Sequence, residues 1–466
     1  MDLRANDSGS RFAGYVEGLV SVIGHADRAG PLHDYCVGLM LPGERKSVEP
    51  MAAKTAPART SAQHQSLLHF VGVAAWSDEK VLGKVCEMVL PEIERHGPIE
   101  AWIIDDTGFP KQGSHSVGVA RQYCGQLGKR DNCQVAVSLS IANHHASLPV
   151  ACRLYLPQDW AQDGERRGKA GVPEDICFMT KQEIALEQLR RACEAGLPRG
   201  VALMDSAYGN DGKLRSGITG LELTYVAAIQ SATLVWLPGK PVPSRTRPLK
   251  NGRRGQLDLI SVRELALGLD KKAWRTIKWR EGSAEWLSSR FARVRVHAGH
   301  RHQVPQCQSE EWLLVEWPEA KPSRPNTGSR PFLKTSASTG WSTLPIYVGV
   351  LSEIIRNSSR RSGSGTMKGA DGAASITTLR CASRPTDSWS PRGRRFPPQD
   401  HVPPRCSRRL PYPIVIDPEE PPLRPERHIP NSIATMRRRL IDALAKRLPR
   451  CPCCGARAMR YRQHNS

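Results

Sequence analysis

The sequence predicts an α/β protein built on a mixed sheet, and three observations predict it. Apolar residues recur at three- and four-residue spacing through the first 95 residues. The period then shortens to strand-like runs between Ile99 and Pro157. A helix opened by a capping box at Thr180–Glu183 separates those strands from two more, in Gly200–Gly209 and Leu223–Ile229. Three strands, a helix, a strand and another strand is an α/β layout with parallel and antiparallel pairs in one sheet. The chain's 466 residues are enough for two or three domains with a sizeable core.

Each element has its own local signal. Residues 1–95 are expected to form a helical module: FAGYVEGLVSVIG and HQSLLHFVGVAAW carry the helical period, with Pro42 and Pro50 as punctuation between them. Ser77 is placed to cap WSDEKVLGKVCEMVL, with Lys80 where a capping box would want Glu. In the next unit, 96–237, Ile99–Asp106 is a short apolar run ending in acids, which marks a buried strand. Cys133–His144 and Ser147–Pro157 alternate like adjacent strands. Ile184, Leu186, Leu189 and Cys193 give the capped helix its apolar side, and Gly196 with Pro198 ends it. Residues 238–325 open on a Pro-, Arg- and Gly-rich loop. They continue as WRTIKWREG, SSRFARVRVHAG and EEWLLVEWP, a β-rich insertion. Over 326–420 the period fades and the composition is that of disordered chain. Within 421–466, Asn431–Arg450 returns as a basic helix. No internal repeat is present.

Charge and cysteine content narrow the function. Lys and Arg exceed Asp and Glu by 67 to 45, a net charge of +22. Thr335–Ser466 alone holds 23 basic and 9 acidic residues, so most of the excess sits in an Arg-, Ser- and Pro-rich tail. Basic proteins neutralise phosphates, which makes nucleic acid a candidate partner; a tail of this composition is equally a solvated, unstructured one. Thirteen cysteines without framework spacing imply reduced thiols and a cytoplasmic location. No apolar run reaches the eighteen residues of a membrane span, and the opening MDLRANDSGSRFAGYVEGLV lacks a signal-peptide core.

Two acidic positions carry the chemistry. Asp105 or Asp106 closes one strand run and Asp205 closes another. A buried, unpaired carboxylate costs several kcal/mol, so acids at neighbouring strand ends are tolerable when a cation lies between them. Hard oxygen ligands suit Mg²⁺, and two such ions roughly 3.5–4 Å apart support phosphodiester chemistry. Asp-Thr-Gly and Asp-x-x-Tyr-Gly are also good turn chemistry, and the residues alone leave that reading open. Lys111, Arg121 and Gln122 flank the first acids and could contact DNA phosphate or water. The same alternatives hold for Arg437, Arg438, Arg439, Lys446 and Arg447 on the basic helix. Cys451, Cys453, Cys454 and His464 are too cramped for a tetrahedral zinc site and are expected to be exposed thiols. His144-His145 is expected to be a turn pair.

In chain order, VIGHADRAGPLHDYC, ERKSVEPMAA, IDDTGFPKQG, SVGVARQYCGQLGK, SLPVACRLYLP and ALMDSAYGND resemble one branch of the DDE-type bacterial insertion-sequence transposases, over about residues 10–320. The resemblance implies an RNase H-like fold that cuts and joins transposon ends with Mg²⁺ or Mn²⁺. It implies DNA ends and target DNA as partners, a possible homodimer, and a nucleoid-associated protein in a bacterial cytoplasm. The family's Asp-x-Thr/Ser pattern selects Asp105, with Thr107, as the first catalytic and metal-binding acid, Asp106 being the alternative. Asp205 is the second. By the same resemblance, KSVEPMAAKTAPARTSAQHQ is a family block of the helical module with a role in binding DNA ends.

The chain departs from the family after about residue 325. A Glu on a helix, with an Arg before it and a Lys seven residues on, should come after the insertion; NTGSRPFLKTSASTGWSTLPIYVGV has no helical period. If each codon from Asn326 is re-read from its third base, synonymous codons allow a family-like string containing LRWRIERDYQELK. The family register returns near Pro421, in PLRPERHIPNSIATMRRRL and LPRCPCCG. Two compensating frameshifts, near 320–326 and 405–420, are therefore expected, and with them loss of the third acid and of activity. Without a second frame, Glu353 is the first candidate for that acid. The rival reading is a non-catalytic DNA-binding remnant. An aspartyl phosphatase would want Asp-x-Asp after a strand, where IIDDTG has adjacent acids.

Overall fold

The structure is a computed structural model that describes residues 3–42, 46–143, 145–238, 259–281, 286–298, 310–317, 332–335, 433–452 and 455. Its first part is helical, as the three- and four-residue spacing requires: α1 (Leu3–Val20), α2 (Ala29–Met40), α3 (Val48–Thr55), α4 (Thr60–Gly72) and α5 (Asp78–Glu94). Ser77 caps α5 as expected, its side chain accepting from the Lys80 amide at 3.3 Å. In place of a capping box, Asp78 and Glu79 in the first turn complement the helix dipole.

The chain then turns to strands: β1 (Ala101–Pro110), β2 (Ala120–Cys124), β3 (Lys129–Ala142) and β4 (Ser147–Leu154). Then come α6 (Gln158–Gln162), α7 (Gly164–Ala170), α8 (Lys181–Glu194), β5 (Val201–Met204), α9 (Ser206–Gly209), α10 (Gly212–Gly220) and β6 (Tyr225–Ile229). The capping box of α8 is present: Thr180 Oγ1 accepts from the Glu183 amide at 3.2 Å, and Glu183 Oε2 accepts from the Thr180 amide at 2.8 Å. One edge of β3 carries β2 and β4 and the other carries β1; beyond β1 lie β5 and then β6. β3 runs antiparallel to both β1 and β4, whereas β5 and β6 run parallel to β1. This order is the RNase H-like fold. The strand β1 runs past the acids at which its apolar sequence stops, because the longer β3 pairs with it from Ala101↔Ala142 to Pro110↔Cys133.

One hydrophobic cluster joins helices and sheet. Leu19, Ile23, Tyr35 and Phe70 pack in the same cluster as Trp102, Ile104, Val137, Leu139, Leu189 and Met204. Trp102 is fully buried with its indole N–H satisfied, donating to the Pro198 carbonyl at 2.8 Å. On the far side of β6 the sheet continues through the insertion: β7 (Leu234–Trp236), β8 (Ile260–Ser261), α11 (Val262–Leu267), β9 (Trp274–Glu281), β10 (Trp286–Ala298) and β11 (Glu311–Trp317). Within the stretch expected to be irregular, Phe332–Thr335 is instead a strand, β12, seated between β6 and β11. β12 pairs with both, satisfying the backbone edges that β6 and β11 turn toward each other. The insertion has its own cluster, including Ile229, Val235, Val262, Leu265, Val296 and Leu313. The basic helix α12 (Ile433–Arg447) packs back on α1 and α2, with Leu440, Leu444 and Leu448 against Phe12, Val37, Met40 and Leu41.

Candidate active site

Strand lengths create the site. The parallel ladder between β1 and β5 ends at Ile104↔Met204, so the next residues, Asp105 and Asp205, stand level just past its end. β1 continues there because β3 still pairs with it, Asp105 opposite Ser138 and Asp106 opposite Val137. After Met204 the other chain turns into α9. Asp205 caps that turn, its Oδ1 accepting from the amides of Ala207 at 2.9 Å and Tyr208 at 3.4 Å. The turn-capping reading of Asp205 is therefore part of its role.

Alternation along β1 sends the two adjacent acids to opposite faces. Asp106 shares its face with Trp102 and Ile104, beneath α8. Its Oδ2 lies 2.6 Å from Lys181 Nζ, with both side chains about a quarter exposed. A lysine as first residue of a helix opposes the helix dipole, so Lys181 is held there by its partner rather than by the helix. The ammonium also lies 5.6 Å from the Tyr155 ring. On the other face, Asp105 accepts a 2.8 Å hydrogen bond at Oδ1 from the Asp106 amide, and its backbone carbonyl accepts one from Ser138 Oγ at 3.3 Å.

The charges of these groups bear on one another. Burial raises the Asp205 carboxyl above its ordinary value and the charge of Asp106 adds to that, opposed by the amides of Ala207 and Tyr208 and by Lys181. The Tyr208 phenol is pushed far up, first by burial and then by the charges of Asp106, Asp105 and Asp205. It is 1% exposed, and its hydroxyl has no hydrogen-bond partner among the described residues.

The segment DSAYGND is braced from behind. Gly209 packs so closely on β6 that an added Cβ would lie 2.0 Å from the Ala228 carbonyl oxygen, which only glycine permits. The buried Arg215 donates to the Gly209 carbonyl. Asn210 ties the turn to the loop after β6, accepting from the Gln230 amide and the Thr233 hydroxyl at 3.3 and 3.2 Å.

The fold does not bring the other candidates to this place. Lys111 lies six residues beyond Asp105, about 20 Å along an extended strand. It is tied to Asn132, and burial lowers its ammonium. Arg121 is exposed on β2, opposite Asn132. Gln122 is spent on the Cys133 carbonyl at 3.0 Å. Arg437 and Arg439 are half-buried on α12, which packs on the N-terminal helices. The side chain of Arg438 and residues His144, Glu353, Cys453, Cys454 and His464 lie outside the described residues, as does the segment proposed to be frame-shifted apart from β12. Among the described residues no cluster of three or more His, Cys, Asp or Glu side chains is arranged to hold a metal. No helix among them is long and apolar enough to cross a membrane.

Lys181, Tyr208 and Arg215 are the additions that tertiary structure makes to the site. The only sequence signal for Lys181 was its cation in a helix's first turn, where an acid is favoured; the other two gave none beyond their closeness to Asp205.

Comparison with known proteins bears on this geometry. Residues 18–285 match a family described as DDE superfamily endonuclease, a span that includes α2–α11, the whole β1–β6 sheet and part of the insertion. A protein of Microchaete diplosiphon named "Probable transposase for insertion sequence element IS701" is 34% identical over 168 residues, which is 36% of this chain. The match spans about two fifths of that relative's length, 41%.

Proposed function

The chain belongs to the DDE superfamily endonucleases, and from that premise we propose that it derives from a transposase that cuts and joins the DNA ends of an insertion sequence. The observation that carries this reading is the level pair Asp105 and Asp205 at the end of the parallel ladder in an RNase H-like sheet.

The donor chemistry fits a divalent cation. Two hard carboxylates on a rigid sheet edge, one already raised by burial and by a neighbouring acid, are groups that a small dication would relieve. Mg²⁺ commonly takes one or two carboxylates and completes its shell with water and phosphate oxygens. Asp205 would hold it with Asp105 or with the alternative first acid, Asp106, whose charge acts on Asp205, and Mn²⁺ would be the substitute. When bound, such an ion supplies charge neutralisation at the scissile phosphate and lowers the pKa of water. The chain's own residues do the rest. Asp205 caps α9 through one carboxylate oxygen, Oδ1, and the Lys181–Asp106 pair fixes a positive charge beside the acids. Gly209 and Arg215 hold the turn rigid against β6.

Catalysis in this family branch needs a third acid, and the sequence after the insertion shows no helical period to carry it. On this reading the chain as written has a weak metal site and negligible cleavage, and its remaining capacity is to hold DNA through basic surfaces such as α12. The test is strand cleavage of a DNA carrying the element's ends, with Mg²⁺ or Mn²⁺, for this chain, for Asp205→Asn, and for a version translated through the alternative frame after residue 325. Cleavage only by the last supports the reading. Efficient cleavage by the chain as written would overturn the defect, and no DNA binding by any version would overturn the family role.

A further inference from the structure

We propose that the exposed face of the β2–β3 hairpin is a docking platform for an unpaired DNA strand, with Tyr123 stacking on a base while Arg121 and Arg130 hold the phosphates beside it. The inference rests on the DNA-cutting reading above and deepens it.

Alternation along the hairpin sorts its side chains. Cys124 and Cys133 turn inward and are fully buried, with Gln122 on their side bonded to the Cys133 carbonyl. Arg121, Tyr123 and Arg130 turn outward, and all three are exposed. Tyr123 stands opposite Arg130 and Arg121 opposite Asn132, so the three share one face. Arg130 reaches along it, its Nη2 donating to the Arg121 carbonyl at 3.4 Å, which carries the guanidinium to the backbone two residues before Tyr123. Neither guanidinium forms an ion pair among the described residues. The hairpin's one acid, Asp131, belongs to the inward set and is paired with Lys129 at 3.1 Å, though the charge of Arg121 acts on it from further off. Tyr123 is 54% exposed, the one aromatic ring more than half exposed among the described residues. A lone exposed apolar residue is ordinary, but an exposed ring flanked by two guanidinium groups matches what holds single strands, since every base has a π-face and every nucleotide a phosphate. A duplex keeps its base faces stacked on one another, so the ring fits an unpaired base. A second copy of the chain fits poorly, because pairing this face with itself would set arginines against arginines with no acid between them.

The hairpin stands near the acids without entering their site. Gly108 is two residues beyond Asp106 on the same face of β1, and an added Cβ there would lie 3.0 Å from Cys124 Cα. Tyr123 precedes Cys124, so by backbone steps its Cα lies within about 15 Å of that of Asp106, the reach of about four stacked nucleotides. A strand held at the acids can therefore extend onto the platform.

The test uses the full chain with a short fluorescent oligo-dT strand and, alongside it, a blunt duplex, each titrated by anisotropy over a range of salt. The variants are Tyr123→Ile, Tyr123→Phe, Arg121→Ala and Arg130→Ala. Isoleucine keeps strand propensity and removes the flat ring, so it should weaken oligo-dT binding by about tenfold, while phenylalanine should hold it within about twofold. Each arginine variant should lower the slope of log K against log salt by about 0.7, one phosphate contact on a single strand. A 5-iodouracil in the strand should photocrosslink to the peptide that contains Tyr123. Oligo-dT affinity unchanged in Tyr123→Ile, or lost equally in Tyr123→Phe, overturns the platform and leaves the DNA reading standing. Native binding to the duplex alone does the same. A changed oligomeric state in Tyr123→Ile, with DNA affinity unchanged, gives the face to a second copy and overturns the proposal. If Tyr123→Ile fails to fold, the arginine slopes and the crosslink decide, and unchanged slopes or a crosslink elsewhere overturn it. Native chain that binds neither strand nor duplex overturns the DNA reading itself and this proposal with it.

Discussion

The two flanks of β1 differ in kind. On one side β3 pairs with it over ten residues, antiparallel and continuous past both acids; on the other, β5 pairs with it over four, parallel, and stops. The long flank supplies rigidity and the short one supplies the opening. Neither Asp105 nor Asp205 is exceptional as a residue. They stand level because one ladder ends where the other continues, which leaves carboxylates beside a backbone fixed by its pairing. The lesson is that a sheet builds a polar site most economically at a mismatch of strand lengths, where burial is partial and backbone positions are still fixed.

The largest break in this comparison should come from the shared core beneath it. Trp102→Ala removes a fully buried indole at the junction of helices and sheet and should cost about 3–5 kcal/mol in urea unfolding. A loss well under half of that would mean the helices and the two flanks do not unfold together. Next comes the ion pair on the covered face. Lys181→Met leaves Asp106 facing Asp205 without a counter-charge and should cost about 1–2 kcal/mol at neutral pH, after allowance for partial exposure. The double variant Lys181→Met with Asp106→Asn should regain most of it, and failure to do so would remove Lys181 from the site's electrostatics. A smaller effect separates cap from ligand at the open flank. Asp205→Ala should cost about 1 kcal/mol in metal-free stability, while Asp205→Asn, which can still cap α9, should cost less. Equal losses would show that the cap hydrogen bonds are not what holds the turn.

The smallest expected effect is a pH dependence far from the strands. Lys46 donates to the carbonyls of Gly38, Leu39 and Leu41, and its ammonium is lowered to about 8, chiefly by burial and then by Lys54 and Arg437. Its folded-state value lies below the unfolded 10.5, so the unfolded chain binds more protons between those limits and stability should rise with pH across that window. Arg437→Ala, by removing a like charge contributed by α12, should flatten the rise. An unchanged slope would argue against α12 docking beside Lys46.

Much of the architecture was legible in the residues themselves. The helical period of the first 95 residues, the Ser77 cap, the Thr180–Glu183 box and the apolar runs around Asp105 and Asp205 are local signals, and local physics settles them. Other features were not legible, because their causes lie far away in sequence. β1 runs on to Pro110 only because β3 reaches it. β2 and β12 are strands through pairing rather than through their own alternation. Lys111 and Arg121 are near Asp105 in sequence and read as its neighbours, but an extended strand of six residues carries them away from it.

The sequence by itself determined the helices and the strands that carry apolar runs, that two acids close such runs, and which family pattern they fit, because hydrophobic period, caps and motif residues act within a few positions of one another. Only the tertiary structure decided that Asp105 and Asp205 stand level, that Asp106 is given to Lys181, and that Tyr208 is buried with its hydroxyl unpaired among the described residues. Those facts depend on strand register and on which face each side chain takes, and register is set by pairing between residues about a hundred positions apart.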